Sequence, residues 1–229
     1  MTHLINMLTD FGFDKSALTA IENYNSRNGF SLIDNDEYKS ITGYFAQYPM
    51  YKDIIPIMTD NQSNYICVYK SGALFGKVCH VSHEEVSMEP KFRSIENLIA
   101  TINQNPDSWE WLDLPESTFD YPQKAYVPDT EDDKKIIPLL RDSLNKETDD
   151  EIKVQTAFCI MALTPPENLE DIYPFLDDDD MYIQERAIRI FGFHKYKPAV
   201  PKLRELETTA KHNGQFAAKL ALKKIQSEQ

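Results

Sequence analysis

Two histidines three positions apart are the first residues in this chain that could bind a metal. His80 and His83 are followed directly by Glu84 and Glu85, and imidazole and carboxylate groups are common zinc ligands. The surrounding residues read as a strand, and side chains at i and i+3 of a strand point to opposite faces. The order also differs from the helical zinc motif His-Glu-x-x-His. The sequence therefore predicts no metal site here.

A run of four acids, Asp177 to Asp180, is a second candidate for cation binding. Calcium loops space their ligands and need a glycine for the turn, and this run does neither. Aspartate is also a favoured residue just before a helix. We therefore expect an acidic, solvated turn that caps the helix after it.

Signatures of enzymes are missing from the sequence. The chain has no phosphate-binding glycine loop, no dinucleotide fingerprint and no serine elbow, and it has only seven glycines. Its three cysteines, Cys67, Cys79 and Cys159, have no metal-type spacing and predict buried, reduced thiols. We expect no catalytic residue, no cofactor and no small-molecule substrate.

Charge is distributed unevenly along the chain. Residues 1–120 carry 8 basic and 17 acidic residues, residues 121–185 carry 6 and 17, and residues 186–229 carry 10 and 3. The acidic body disfavours a general nucleic-acid binder and suits a basic partner, although solubility alone would also explain it. The basic end leaves DNA binding open as a lesser alternative.

Membrane association is not expected. No apolar run approaches the roughly 20 residues of a membrane span, and the start of the chain lacks the features of a signal peptide. The sequence predicts a cytoplasmic protein.

Residues 1–103 alternate between helix-like and strand-like runs. Asp14 is expected to cap one helix, and Asp36 to open another whose aromatic stripe, residues 38–48, we expect in the core. Strands are predicted at residues 54–58, 65–69 and 77–82, the first an edge or bulged strand because it contains Pro56. Ser94 is expected to cap an amphipathic helix. The pattern predicts an α+β domain with an antiparallel-rich sheet and flanking helices.

Residues 104–131 form a connector rich in proline and acids that also holds Trp109 and Trp111. Disordered linkers are poor in aromatic residues. We therefore expect this segment to lie against the surface of a domain.

Residues from about 130 onward contain only amphipathic helical patterns, in three pairs. The first helices of the pairs share a proline, at Pro138, Pro174 and Pro201, that suits the first turn of a helix. The second helices place alanines at expected close contacts, at Ala157, Ala187 and residues 217–218. The pattern resembles HEAT-like repeats, in which stacking of helix pairs forms the core. We predict an α+β domain over residues 1–125 and an all-α HEAT-like helical-hairpin array over 126–229.

A series of motifs in the first half resembles the SUKH superfamily. It runs from Asn28-Gly29-Phe30 through residues 55–57, 60–64, 65–69 and 76–78 to His83-Glu84-Glu85 and the helix led by Phe92 and Ser94. The resemblance implies a non-enzymatic α+β binding module. Many bacterial members are immunity proteins that neutralise cognate toxins, often nucleases, and fungal relatives act as interaction hubs in signalling.

These observations predict an immunity protein that binds a cognate, basic, nuclease-type toxin directly and blocks its active site or substrate path. The concave face of the sheet and the acidic loops are the expected contact regions. The candidate partner-binding residues are all acidic: Asp34, Asp36, Glu37, Asp53, Asp60, Glu84 and Glu85. Ordinary solvated surface acids are the alternative for each of them. The alternative function is a scaffold whose helical array binds an endogenous protein.

Overall fold

A computed structural model describes residues 2–84, 86–124 and 130–227. The chain divides into two compact units, Met1–Asp120 and Tyr121–Gln229. The domain boundary predicted between residues 125 and 126 falls in the range 125–129, outside the described residues.

The first unit combines helices with an antiparallel sheet, as the sequence predicts. Its helices are α1 (Thr2–Asp10), α2 (Lys15–Glu22), α3 (Asn35–Phe45) and α4 (Ile95–Gln104). Its strands are β1 (Ser31–Leu32), β2 (Ile54–Thr59), β3 (Tyr65–Tyr69), β4 (Val78–Val81) and β5 (Pro90–Phe92). Helix α1 and strands β1 and β5 are absent from the sequence predictions. The two strands have only two and three residues, which is too few to show a periodicity.

The five strands follow one another in chain order across the sheet. Strand β3 is central, as predicted. The register between β2 and β3 shifts between Pro56 and Met58, so the predicted bulge is confirmed. The alternative of an edge strand is wrong, because the two residues of β1 pair with the end of β2 at Met58 and Thr59.

Both faces of the sheet are covered in its middle. All six residues of β2 are buried, and alternate residues of β3 face opposite sides. Ile66 and Val68 belong to the main core with residues of α1, α2 and α4. On the other side, α3 packs against β2, and the Phe45 ring lies 6.3 Å from that of Tyr65. Other parts of the unit therefore cover both faces of β2 and β3, and binding through the concave face of the sheet stays a prediction.

Helix α3 differs from its prediction at its beginning and on its aromatic stripe. Asp34, and not Asp36, is the N-cap, and its carboxylate accepts hydrogen bonds from the amides of Asp36 and Glu37 at 2.9 and 2.8 Å. In the stripe Phe45 is buried, but Tyr44 is 48% exposed. The periodicity located the helix, but it could not show which aromatic residues of the stripe are buried.

The second unit is helical. It contains α5 (Thr130–Lys146), α6 (Asp150–Leu163), α7 (Met181–Phe193), α8 (Val200–Thr209) and α9 (His212–Gln226). The segment Pro166–Asp177, predicted as an ordinary helix, is a 3₁₀ helix with a non-helical residue at Asn168. Neighbouring elements pack in three pairs, α5 with α6, Pro166–Asp177 with α7, and α8 with α9. The second members of the pairs also contact one another, α6 with α7 and α7 with α9.

The shared prolines do not have one common role. Pro201 lies in the first turn of α8, as predicted. Pro138 lies in the interior of α5 and Pro174 in the interior of the 3₁₀ helix, so the first-turn prediction is wrong for both. A short motif around a proline cannot locate the start of a helix. Proline also occurs inside helices, where one backbone hydrogen bond is then lost.

Close helix packing in the second unit depends on small residues. Ala157, Ala187 and Ala218 are fully buried, as predicted. The nearest approach lies at Gly192, where an added Cβ would stand 2.7 Å from the Cβ of Ala221. Gly214 makes a similar approach to the side chain of Gln184. Because both contacts run in the same order along the two helices, α7 and α9 are parallel.

Candidate protein-binding surface

The two histidines of the possible metal motif contact different groups. The His80 ring stacks on the Trp111 indole, with centroids 4.5 Å apart and an interplanar angle of 4°. Burial lowers the pKa of His80 to about 4. The Nδ1 atom of His83 instead lies 2.9 Å from the Oδ1 atom of Asn64. Among the described residues, no group of three or more His, Cys, Asp or Glu side chains could hold a metal ion.

The acidic run before α7 caps that helix. Asp180 accepts hydrogen bonds from the amides of Tyr182 and Ile183 at 2.8 and 3.1 Å. Asp178 accepts one from the amide of Asp180, and Asp177 pairs with Lys202 at 2.7 Å. The predicted capping role is confirmed.

The buried cysteines were also predicted correctly. Cys67, Cys79 and Cys159 are buried, and none forms a disulfide. Cys67 and Cys79 are directly opposite each other on β3 and β4. Burial, with the neighbouring Cys79, raises the pKa of the Cys67 thiol and keeps it protonated. Cys67 and Cys79 are packing groups of the sheet, and Cys159 is one of helix α6.

Three of the predicted partner-binding acids lie at the start of α3. Asp34 is the cap and Asp36 is exposed in the first turn. Glu37 is near Tyr65. The pKa of the Tyr65 phenol is raised, mainly by burial and then by the carboxylates of Glu37 and Asp60. The structure therefore brings Glu37 and Asp60 to one tyrosine.

The remaining predicted acids are spread over both ends of the sheet. Asp60 holds the turn after β2, where it accepts from the amides of Gln62 and Asn64 at 2.7 and 3.1 Å. Asp53 precedes β2 and accepts from Ser71 at 2.6 Å. Six residues of strand separate the two, roughly 20 Å. Glu84 is exposed, and Glu85 lies outside the described residues. These acids therefore do not form one contact patch.

A different surface stands out in the connector. Residues 106–116, the Trp109 loop, place two large apolar side chains in solvent, Trp109 with 68% and Leu112 with 82% of its surface exposed. The acids of the loop are exposed as well: Asp107, Glu110, Asp113 and Glu116. Residues 104–120 contain five acids and no lysine or arginine. Exposed apolar and exposed acidic side chains thus occur together in one short segment.

Arg27 fixes the first part of this loop. Its guanidinium donates to four backbone carbonyls, those of Ile102, Asn105, Pro106 and Ser108, at 3.0, 2.8, 2.7 and 2.6 Å. Two of these carbonyls belong to the end of α4, where backbone oxygens lack helical partners. One side chain therefore caps α4 and holds the loop beside it.

The turn that carries Arg27 also contacts the loop directly. Gly29 has a φ of +76°, and an added Cβ would lie 1.8 Å from the carbonyl oxygen of Trp109. Glycine is required here by both its backbone conformation and its contact. The Asn28-Gly29-Phe30 element that contributes to the SUKH resemblance thus supports the Trp109 loop.

The second half of the loop is held by Trp111 and Asp113. The Trp111 ring packs on His80 and also stacks on Phe119 at 5.3 Å. The Asp113 carboxylate accepts from the amides of Trp109 and Glu110 at 2.8 and 3.2 Å. The loop presents Trp109 and Leu112 from a fixed backbone, so binding would cost little conformational entropy.

This arrangement is suited to binding a protein. Tryptophan is among the residues that contribute most to protein interfaces, especially when surrounding contacts exclude water. A rim of acids attracts a basic partner and disfavours phosphate. The expectation that the connector lies against a domain is confirmed for residues 104–120. The loop is absent from the predicted site. Its signal in the sequence is a pair of tryptophans among acidic residues, with no lysine or arginine in the same segment.

A smaller aromatic surface lies at the end of α3. Tyr44 and Tyr48 are both exposed, with ring centroids 5.1 Å apart, and a hydrogen bond between them raises the pKa of Tyr44. Lys39 and Lys52 border this stretch of sequence, so its charge is more mixed than that of the Trp109 loop.

Comparisons with family models, with curated proteins and with solved structures found no match to this chain. In the part of the chain that the structure describes, no helix has both the length and the apolar character to cross a membrane.

Proposed function

We propose that this chain is a non-enzymatic, cytoplasmic immunity protein that neutralises a cognate toxin by direct binding. It would consist of a SUKH-like α+β module and a HEAT-like array of helix pairs. The toxin would be basic and of the nuclease type, and binding would cover its active site or the path of its substrate. The observation that carries the proposal is the Trp109 loop, a rigid, apolar and acidic surface.

The charge of the loop supports the kind of partner. A nuclease presents a basic surface to its substrate, and an acidic loop with an exposed indole competes for that surface. Trp109 and Leu112 would make the apolar contacts, and the exposed acids Asp107, Glu110 and Glu116 would supply charge beside them, because the Asp113 carboxylate already accepts from backbone amides of the loop.

The packing of the second unit supports a HEAT-like array. Each pair contacts the next through its second helix, and parallel packing of α7 with α9 is the arrangement that stacked repeats produce.

The test is capture of the partner by the full chain, followed by an assay of the partner. The prediction is a stoichiometric basic protein whose nuclease activity falls as complex forms. Trp109→Ser with Leu112→Ser is expected to weaken binding about a hundredfold or more, because two exposed apolar groups no longer become buried.

The matched control is Tyr44→Ser with Tyr48→Ser, which removes exposed aromatic area from the other surface. If this control leaves the affinity unchanged, the result supports the Trp109 loop as the binding surface. If the control abolishes binding and the loop variant does not, the immunity function stands but its surface is wrong. A captured partner that is acidic, or that has no toxic activity, contradicts the proposal.

A further inference from the structure

The last helix of the second unit has an unusual outer face. Phe216 and Leu220, four residues apart in α9, keep 64% and 45% of their surface exposed. Side chains at i and i+4 of a helix lie on one side. The two residues therefore form a continuous apolar strip along the first half of α9.

Lysines flank this strip. Lys219, Lys223 and Lys224 are exposed, and none forms an ion pair within residues 2–84, 86–124 and 130–227. The segment His212–Gln226 contains no acidic residue. By helical geometry Lys219 and Lys223 lie on one side of the strip and Lys224 on the other. The chain is strongly acidic as a whole, so this face is a local exception.

The opposite side of α9 is packed inside the second unit. Ala217, Ala218, Ala221 and Leu222 are buried, and they pack in the contacts of α9 with α7 and α8. The outer residues therefore contribute little to folding of the unit. Exposed apolar surface bordered by polar residues is typical of sites that bind another molecule.

We propose that the outer face of α9 binds an acidic, amphipathic peptide segment of another protein. Its apolar side chains would cover Phe216 and Leu220, and its carboxylates would pair with the three lysines. Nucleic acid fits less well, because two apolar side chains would face phosphates. A second copy of α9 would bring lysines against lysines. This surface is distinct from the Trp109 loop, and the proposal does not depend on the toxin.

The test is selection of peptides from a random 16-residue display library on the full, immobilised chain. The expected result is enrichment of acidic peptides with two or more large apolar residues. Their affinity should fall at least about tenfold for Phe216→Ser with Leu220→Ser, and also for a triple Lys→Gln variant of residues 219, 223 and 224. Thermal unfolding of each variant verifies that the helical unit remains folded.

Matched controls are Leu139→Ser, an exposed leucine of α5, and Lys197→Gln, an exposed lysine outside α9, which should leave the affinity unchanged. No enrichment, or enrichment unrelated to charge, overturns the proposal. So does preferential binding of duplex DNA or of phosphatidylserine vesicles that requires the same residues. Concentration-dependent dimerisation lost in the Phe216 and Leu220 variant would assign the face to a second copy and would also overturn it.

Discussion

Substitution of Arg27 by methionine tests how the Trp109 loop is held. Methionine keeps much of the apolar stem but removes the guanidinium, which donates to four backbone carbonyls of residues 102–108. Hydrogen bonds from a charged group contribute about 1.5–3 kcal/mol each, and a stranded acceptor costs about 1–3 kcal/mol. These values do not add fully, because water reaches the outermost carbonyls once the side chain is removed.

We therefore expect Arg27→Met to lower the free energy of unfolding by about 3–5 kcal/mol. Arg27→Lys should cost less, since an ammonium keeps the charge but cannot donate to four acceptors in a fork. Urea unfolding followed by tryptophan fluorescence measures the change, because Trp109 and Trp111 lie in or beside the loop.

Hydrogen exchange then locates the effect. The amides of residues 106–116 should exchange faster in Arg27→Met, whereas those of the second unit should not change. Lys52→Met, at an exposed lysine, is the matched control and should be neutral. A loss below about 1 kcal/mol for Arg27→Met, or unchanged exchange in the loop, would refute this account of the loop.

Two further predictions concern packing and pH. Gly192→Ala should destabilise the chain by about 1–3 kcal/mol, because the new Cβ would lie 2.7 Å from the Cβ of Ala221. Gly43→Ala, with open space around it, should stabilise α3 by up to about 1 kcal/mol. Equal effects of the two substitutions in thermal melts would contradict the close approach at Gly192. Burial lowers the pKa of His80 from 6.5 to about 4, so the folded state keeps the imidazole neutral. The contribution of His80 to the free energy of unfolding is complete above pH 6.5. It decreases by about 3 kcal/mol as the pH falls towards 4, because the unfolded chain binds the proton more tightly. His80→Phe should keep the stack on Trp111 and remove this part of the pH dependence in urea titrations, and an unchanged pH dependence would show that His80 does not cause it.

Much of the fold could be predicted from local signals. The Ser94 cap and the apolar residues after it predict α4, and the β-branched and aromatic run at residues 65–69 predicts the central strand. Such features are decided by residues close in sequence. Strands β1 and β5 escaped because two and three residues are too few to show a periodicity.

The site was harder to predict than the fold. Asp34 and Asp60 looked like partner contacts, but their carboxylates bind nearby backbone amides in a cap and a turn. Trp109 and Trp111 stand two residues apart, yet one is exposed and the other is buried against His80. Composition cannot assign those opposite roles, because Trp111 is buried by packing on His80, about 30 residues earlier in the sequence, and on Phe119.

The proposed binding of a basic toxin through the Trp109 loop is tested most directly by one affinity. It is the affinity of the full chain for its captured partner, measured with and without Trp109→Ser and Leu112→Ser. We expect a basic, toxic partner whose affinity falls about a hundredfold in that variant and not in Tyr44→Ser with Tyr48→Ser. A partner without toxic activity, or equal affinity of the wild-type chain and the loop variant, would contradict it.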